Sequence, residues 1–550
     1  MVNPFSSEGR KNRGIVPLNG FYGRMFPRTS PECEFSPADE PYLIELGQAM
    51  KGEELRTGWH TRAGFTYLGQ FVDHDLTRDK TQLCEPDVDP EKVQNHRTPF
   101  LDLELIYGDG PIQSAALYVG TRLKIGETIE SNLGSVGASL VNLPGGTLRD
   151  FPRDDRGNAL FAYPDEKRNL ENVLVMQMQV LFMKFHNVAM EQCLDPAFAQ
   201  LPLTGPRFQR AQQLVCWHYQ RLIRQEFLCE VLDGATLRDV QDHGPQIRYY
   251  QDAIARKGFF LPAEWSLAAF RFGHSMVRNT YSLNCHQEKL PLQELMKQNF
   301  VTSRLPEAWL VEWGRLFLGL PRSHPLTTPS SPINTTIAPD LHKLQDHTTR
   351  LFSLPGKCDD PFHPELPVRT LLRGARAHLP SGQEVAKALI EEGLLKSSQA
   401  LSPDQLIAVT HVTNDQSAEI LKKNTKLHEN TPLFYYVLKE AEVVSGGEKL
   451  GPVGSRIIAE VFETILRNDS FSYLNIAGLG SAWKLPEWRF PDGRRDTVDS
   501  LRKLIQLVGD DALPQGCRES RLRVFFDFSP RSMYWLYRIM NLALHRDNQN

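Results

Sequence analysis

Apolar residues recur at i, i+3 and i+4 over residues 64–76, 165–194, 206–233, 263–279, 453–468 and 529–545, while the period-two alternation of half-buried strands is scarce. This spacing gives each stretch one apolar helical stripe and leaves little from which a sheet could be built. The chain is therefore expected to be mainly α: one large helical domain with long loops and little β. Its 550 residues exceed the size at which a single simple core is the rule, so several domains or one large body are open on length alone. No internal repeat divides it. The Pro/Ser/Thr-rich stretch at 321–340 reads as a connection inside a domain, because motifs on its two sides belong together. Residues 1–60, rich in Pro, Gly and charge, read as an irregular N-terminal arm, and residues 61–550 as the domain.

Lys and Arg total 62 against 66 Asp and Glu, a formal charge of −4, so no general attraction to nucleic acid or an anionic membrane is expected. No apolar run is expected to span a membrane, which takes roughly 20 residues. The N-terminal MVNPFSSEGRKNRG lacks the apolar centre of a signal peptide, which points to a cytoplasmic protein or to one secreted without a classical signal. Eight cysteines are scattered without a C-x-x-C pair, so free buried thiols are expected rather than zinc or a redox dithiol. The phosphate-loop, H-E-x-x-H and G-x-S-x-G signatures are absent.

Chemistry concentrates in four segments. In TYLGQFVDHDLT, Asp73, His74 and Asp75 interrupt an apolar helix. There Gln70, Asp73 and His74 share one face, while Asp75 turns about 100° away. Taken alone, such a cluster is more often a satisfied core group than a site. In RTPFLDLELIYG, Thr98, Phe100, Asp102 and Glu104 alternate, so in an extended loop they can offer hard oxygens to one side, as Ca²⁺ prefers. An ordinary strand end would look the same. In DEKRNLENVLVMQMQVLFMKFHNVAMEQ, Arg168 and Glu171 stand at i, i+3 near a helix start, a site pair or a surface ion pair. His186 lies roughly 27 Å further along that helix and takes a packing role. In WSLAAFRFGHSMVRNTYSLN, His274 sits on an apolar helix with Arg271 three residues before it. Two histidines, each near an arginine, suit the two sides of a haem, one ligating iron and one moving protons.

In order and wording these segments resemble the animal-type haem peroxidases of the peroxidase-cyclooxygenase superfamily, above all the bacterial members. The resemblance runs from about residue 60 to about 475 and includes LPVRTLLRGARAHLP and TPLFYYVLKEAE. It implies a large helical haem-peroxidase domain that reduces H2O2 through a ferryl state and oxidises halide, pseudohalide or phenolic donors. Haem b and Ca²⁺ are the implied cofactors. By position, His74 is implied as the distal acid/base, Gln70 as its neighbour and Arg168 as the catalytic arginine. Asp73 and Glu171 become candidates for ester links to haem, His274 the iron ligand, and Arg271 and Arg373 propionate partners. Asp75, Thr98, Phe100 (through its carbonyl), Asp102 and Glu104 fall at the calcium positions, Glu104 where many relatives have serine.

Two further departures carry expectations. Thr370 stands where an asparagine accepts a hydrogen bond from the proximal imidazole, which shifts the iron potential. Asn172 stands where some animal relatives carry a haem-bonded methionine, which implies poor chloride oxidation. A fatty-acid dioxygenase of the same superfamily is the nearest rival, but its radical tyrosine three residues before the proximal histidine is Arg271 here. A non-catalytic haem-binding protein is the second rival. A non-haem iron site within Asp73-His74-Asp75 is excluded by the angular divergence of adjacent helical residues.

Overall fold

A computed structural model describes residues 20–52, 61–81, 85, 87–129, 148–297, 300–317, 327–344, 363–409, 416–476 and 483–510. The expected helix at 529–545 lies outside these residues. Among the described residues, ten helices of ten residues or more carry the fold: α1 (Glu40–Ala49), α2 (Ala63–Leu76), α3 (Val173–Gln192), α4 (Arg207–Leu222), α5 (Gly234–His243), α6 (Arg248–Lys257), α7 (Leu366–Arg376), α8 (Gly382–Glu391), α9 (Leu433–Ser445) and α10 (Pro452–Asn468). Among the described residues the strands form only four two-stranded antiparallel ladders, so the molecule is mainly α as its periodicity predicts.

The core is built where α2, α3 and α4 meet. Phe71 of α2 stacks on Phe182 of α3 at 5.7 Å between ring centroids, and Tyr219 of α4 stands edge-on to Phe182 at 5.2 Å. Aromatic pairs of this kind add about 0.5–1.5 kcal/mol each beyond the apolar area they bury. α3 is long and apolar enough for a membrane span by composition, contrary to the sequence expectation, but it is the central core helix, with nearly every side chain buried against protein.

Several expectations need correction. Residues 1–60 are not uniformly irregular: α1 buries Leu43, Leu46 and Gly47 at helical spacing and packs on α7. The irregular composition hid a helix whose apolar stripe is only three residues long. The stretch 206–233 is interrupted after α4 by a π turn at Ile223–Phe227. The stretch 263–279 is not α-helical at all: a π turn, Glu264–Ala268, runs into a 3₁₀ segment, Ala269–His274. Side chains three apart eclipse in a 3₁₀ helix, so Arg271 and His274 still share a face. Cys285 is disulfide-bonded, whereas Cys33, Cys193, Cys216 and Cys229 are free.

The described part of the Pro/Ser/Thr-rich connection is buried and stitches the site together. Ala63 donates its N–H to the Thr328 carbonyl, Ser330 donates to Thr61, and Ser331 donates to Met276. The first two bonds fix the start of α2 and the third fixes the chain just after His274.

Candidate active site

α2 presents Gln70, Asp73 and His74 on one face, as their spacing requires, and buries Asp73, His74 and Asp75. The ring nitrogen His74 Nδ1 lies 2.7 Å from Asn169 Oδ1. Asn169 Nδ2 donates to Gln179 Oε1 at 2.7 Å, and Gln179 Nε2 donates to the Leu105 carbonyl at 3.3 Å. Burial, reinforced by the Arg168 charge, lowers the His74 pKa to about 4 against the opposing influence of Asp73 and Glu166. The imidazole is neutral at pH 7.

Arg168 and Asn169 stand on a 3₁₀ turn, Arg168–Leu170, that precedes α3 rather than within it. The break arises because Asn172 caps α3, its side-chain oxygen accepting from the N–H groups of Leu174 and Val175. Asn172 also donates to Gln70 Oε1 at 3.4 Å, and Gln70 Nε2 donates to Glu171 Oε2 at 2.9 Å. Burial raises the Glu171 pKa to about 7. The Arg168 guanidinium donates Nη2 to the carbonyls of His74 (3.3 Å) and Thr77 (2.8 Å), gripping the C-terminal turn of α2. Its other anchor is Glu166, which accepts from Arg168 Nε at 2.9 Å and from Nη2 at 2.8 Å. Glu166 also pairs with Arg78 at 2.8 Å and Arg97 at 3.5 Å. Although burial works against its charge, these cations hold its carboxyl well below the usual range.

Facing α2 is the 3₁₀ segment that carries His274. Its Nδ1 is buried and has no hydrogen-bond partner among the described residues, and Phe434 of α9 stands edge-on to the ring at 6.2 Å. Burial, then Arg271, lowers the His274 pKa to about 3. A neutral imidazole is what iron ligation requires. Arg271 donates to the Ser266 carbonyl at 2.8 Å and pairs with Asp73 at 3.3 Å, so the expected propionate partner and ester carboxylate lie at one edge of the site. Burial opposes ionisation of Asp73, yet Arg271, His74, Arg168 and the Thr77 hydroxyl together keep its pKa below the usual value. Tyr67 of α2 and Tyr281 make a second link between the two walls, edge-on at 5.5 Å. Arg373 of α7 reaches Asp79 at 3.6 Å and the Thr81 carbonyl at 3.1 Å. Thr370 departs from expectation: its hydroxyl donates to Leu366 O, a full turn back on α7, at 3.0 Å. A short hydroxyl on a helix readily bonds its own i−4 carbonyl, which an asparagine in its place would do less readily.

The loop at 97–104 is not extended throughout. Leu103 adopts a left-handed φ of 56°, and Glu104 opens a helical turn, Glu104–Tyr107. The Glu104 carboxylate accepts from Arg97 Nη1 at 2.7 Å and the Thr98 N–H at 2.8 Å. Asp75 accepts from the N–H groups of Leu103 and Glu104, and Thr98 donates to Asp102 at 3.2 Å. Burial, followed by the nearby Asp75 and Asp102 charges, raises the Tyr219 phenol well above its usual value, which puts both carboxylates beside it. No group of three or more His, Cys, Asp or Glu side chains shaped to hold a metal occurs among the described residues. His186, given a packing role, lies against Tyr107 and Phe208 with Nδ1 3.2 Å from the Tyr107 hydroxyl.

Asn169, Gln179 and Glu166 escaped the sequence reading. The signal for Gln179 was present, since an amide inside the apolar run VLVMQMQVLF needs a buried partner.

The structure thus brings together buried imidazoles on α2 and on the 3₁₀ segment, with the Asp73–Arg271 pair between the two. The family model for animal haem peroxidases matches residues 70–478, and the chain belongs to that family. It is 28% identical over 218 residues to the peroxidase-like protein of Margaritifera margaritifera, a match covering 39% of this chain and 26% of that protein's length. In fold it is similar to peroxidase A of Dictyostelium discoideum, with 15% identity, a TM-score of 0.53, and coverage of 92% of this chain and 96% of that one. It is equally similar to the fatty acid alpha-dioxygenase of Oryza sativa, with 14% identity, a TM-score of 0.53, and coverage of 90% and 81%. These likenesses show the fold.

Proposed function

We propose that this chain is a haem-dependent peroxidase that reduces H2O2 at the expense of a halide, pseudohalide or phenolic donor. The observation that carries the reading is His74, buried and neutral, with Nδ1 engaged by Asn169 and no partner at Nε2 among the described residues. His274, Arg271, Asp73, Glu171 and Arg373 would hold haem b, with His274 toward the iron and Asp73 and Glu171 as the carboxylates available for ester links. When bound, the haem supplies the electron chemistry on peroxide. His74 Nε2 accepts a proton from the peroxide and returns it to the departing oxygen, acting as base and then as acid. Arg168, immobilised by Glu166 and two carbonyls, holds a fixed positive charge beside that exchange. Gln70, tied between Asn172 and Glu171, keeps the polar side of the site in register. Arg271 occupies the position where a dioxygenase of this superfamily has its radical tyrosine, and it is spoken for by Asp73 and Ser266, which supports the peroxidase.

The same reading extends to a Ca²⁺ ion at Asp75, Thr98, Asp102 and the Phe100 carbonyl, all hard oxygens. Glu104 leaves this set, because Arg97 and the Thr98 N–H hold its carboxylate.

The test is the absorption spectrum of haem-reconstituted protein before and after one equivalent of H2O2. A change within milliseconds that reverses when phenol or bromide is added supports the peroxidase. Oxygen uptake with a saturated fatty acid, without turnover of phenol or halide, would assign a dioxygenase. Haem uptake with neither reaction would leave a non-catalytic binding protein.

A further inference from the structure

The bonds that leave His74 run in one direction only. The chain ends on the Leu105 carbonyl, which can only accept, so the Gln179 atom facing it is the NH2 group. The other end of that amide is then the oxygen, which must accept from Asn169, so Asn169 turns its NH2 toward Gln179 and its oxygen toward His74. An oxygen facing His74 Nδ1 at 2.7 Å requires a proton on that nitrogen. A backbone carbonyl of the segment after the 97–104 loop thus dictates, through two side-chain amides, which nitrogen of a histidine on another helix is basic. Asn169 and Gln179 are both buried, so water does not compete for the relay.

We propose that Asn169 and Gln179 are positioning residues that fix the His74 proton on Nδ1 and leave Nε2 as the base. The inference rests on His74 acting as the distal base, and it names how that base is set. Replacing Gln179 by methionine, of similar volume, frees the Asn169 amide to turn over, and the imidazole then populates both tautomers. Replacing Asn169 by aspartate puts a charge beside Nδ1–H and raises the basicity of the ring. The other groups that face His74 are Arg168, Asp73 and Glu166, and both substitutions leave them in place.

The experiment is ¹⁵N NMR of the imidazoles in the full-length protein without haem, with the His74 signals assigned by their loss in His74→Gln. The expected result is a single Nδ1–H tautomer in the parent, a mixture in Gln179→Met, and a His74 pKa raised in Asn169→Asp. After haem loading, Gln179→Met should react roughly 10- to 100-fold more slowly with peroxide. An Nε2–H tautomer in the parent, or an unchanged tautomer in Gln179→Met, overturns the proposal. If one variant does not fold, the parent tautomer and the other variant still decide it. A parent with the Nδ1–H tautomer but no reaction with peroxide would reject the peroxidase reading while upholding the fixing of the tautomer by Asn169 and Gln179.

Discussion

At the scale of the residue, the imidazole proposed to hold the iron would set the character of the site. Among the described residues His274 Nδ1 has no hydrogen-bond partner, and the hydroxyl of Thr370, which the resemblance puts in the acceptor's place, bonds Leu366. A ligand whose N–H is not polarised donates less charge to iron, so Thr370→Asn should move the ferric/ferrous midpoint to more negative potential and Thr370→Val should leave it in place. Potentiometry of the reconstituted protein checks both. His74 loses its function as a base once protonated. With its pKa lowered to about 4, the rate of reaction with peroxide should be flat through neutrality and fall only as the pH drops past about 4. Stopped-flow rates across pH read this limb, and one centred near 6.5 would mean that burial does not depress the imidazole. His74→Ala should lower the rate by roughly 10²–10⁴. His74, Asp73 and Gln70 were legible because their partnership follows from spacing within one helix. Asn169, Gln179 and Glu166 were not, because each is defined by bonds to a remote segment. The bond from Asn169 to His74 crosses 95 positions. Thr370 shows another limit: its rotamer is a local competition that no pattern reveals.

At the scale of the element, three buried glutamates act as joints. Glu264 accepts from the N–H groups of Met25 and Phe26, Glu440 from those of Val453 and Gly454, and Glu460 from those of Gln246 and Ile247. Glu440 and Glu460 secure residues at the start of one helix to the interior of another, and Glu264 ties residues 25 and 26 to the head of the segment that ends in His274. Burial raises all three, Glu440 to about 8 and Glu460 to about 7. A carboxyl whose pKa is higher folded than unfolded stabilises the fold at low pH, and that contribution is lost as pH rises through the folded value. The melting temperature should therefore fall as pH rises from about 5 to about 8, between the unfolded and folded values, and Glu440→Gln should flatten part of the decline in calorimetric scans. A flat profile in the parent would show that these acids titrate elsewhere. The calcium reading also belongs here. If Asp75, Thr98 and Asp102 hold a cation, chelation should lower the melting temperature and added Ca²⁺ should restore it, as mass action requires. No response would mean that the Leu103 and Glu104 N–H groups suffice for Asp75. Periodicity located α2, α3, α4 and α10 well, since their apolar stripes are long. It missed the π and 3₁₀ geometry around His274, because a shift of one residue per turn leaves the apolar pattern almost unchanged.

At the scale of the whole molecule, the arm is part of the site's wall. Gly23 lies so close to Phe260 that a Cβ would fall 2.2 Å from the ring, and Gly23 exchanges backbone hydrogen bonds with Leu261 and Ala263. Arg24 reaches across to the Ala377 and His378 carbonyls at the end of α7. Deleting residues 20–27 would strip Glu264 of both donors at the head of the segment that ends in His274. A buried acceptor left unpaired costs about 1–3 kcal/mol. Such a deletion should lower the melting temperature and weaken haem uptake together, measurable by titration, while a deletion that spares haem affinity would show the arm to be only a cover.

The pocket walls also impose an order of assembly. His74 and His274 are 200 positions apart, and the ring that backs His274 belongs to Phe434. A chain that ends before residue 434 carries both histidines but lacks the Phe434 ring against His274. Contacts this remote form late, after the local helices have condensed. If His274 holds haem as proposed, fragments that end before α9 should take up less haem than the full chain, which absorbance of translated truncations would read.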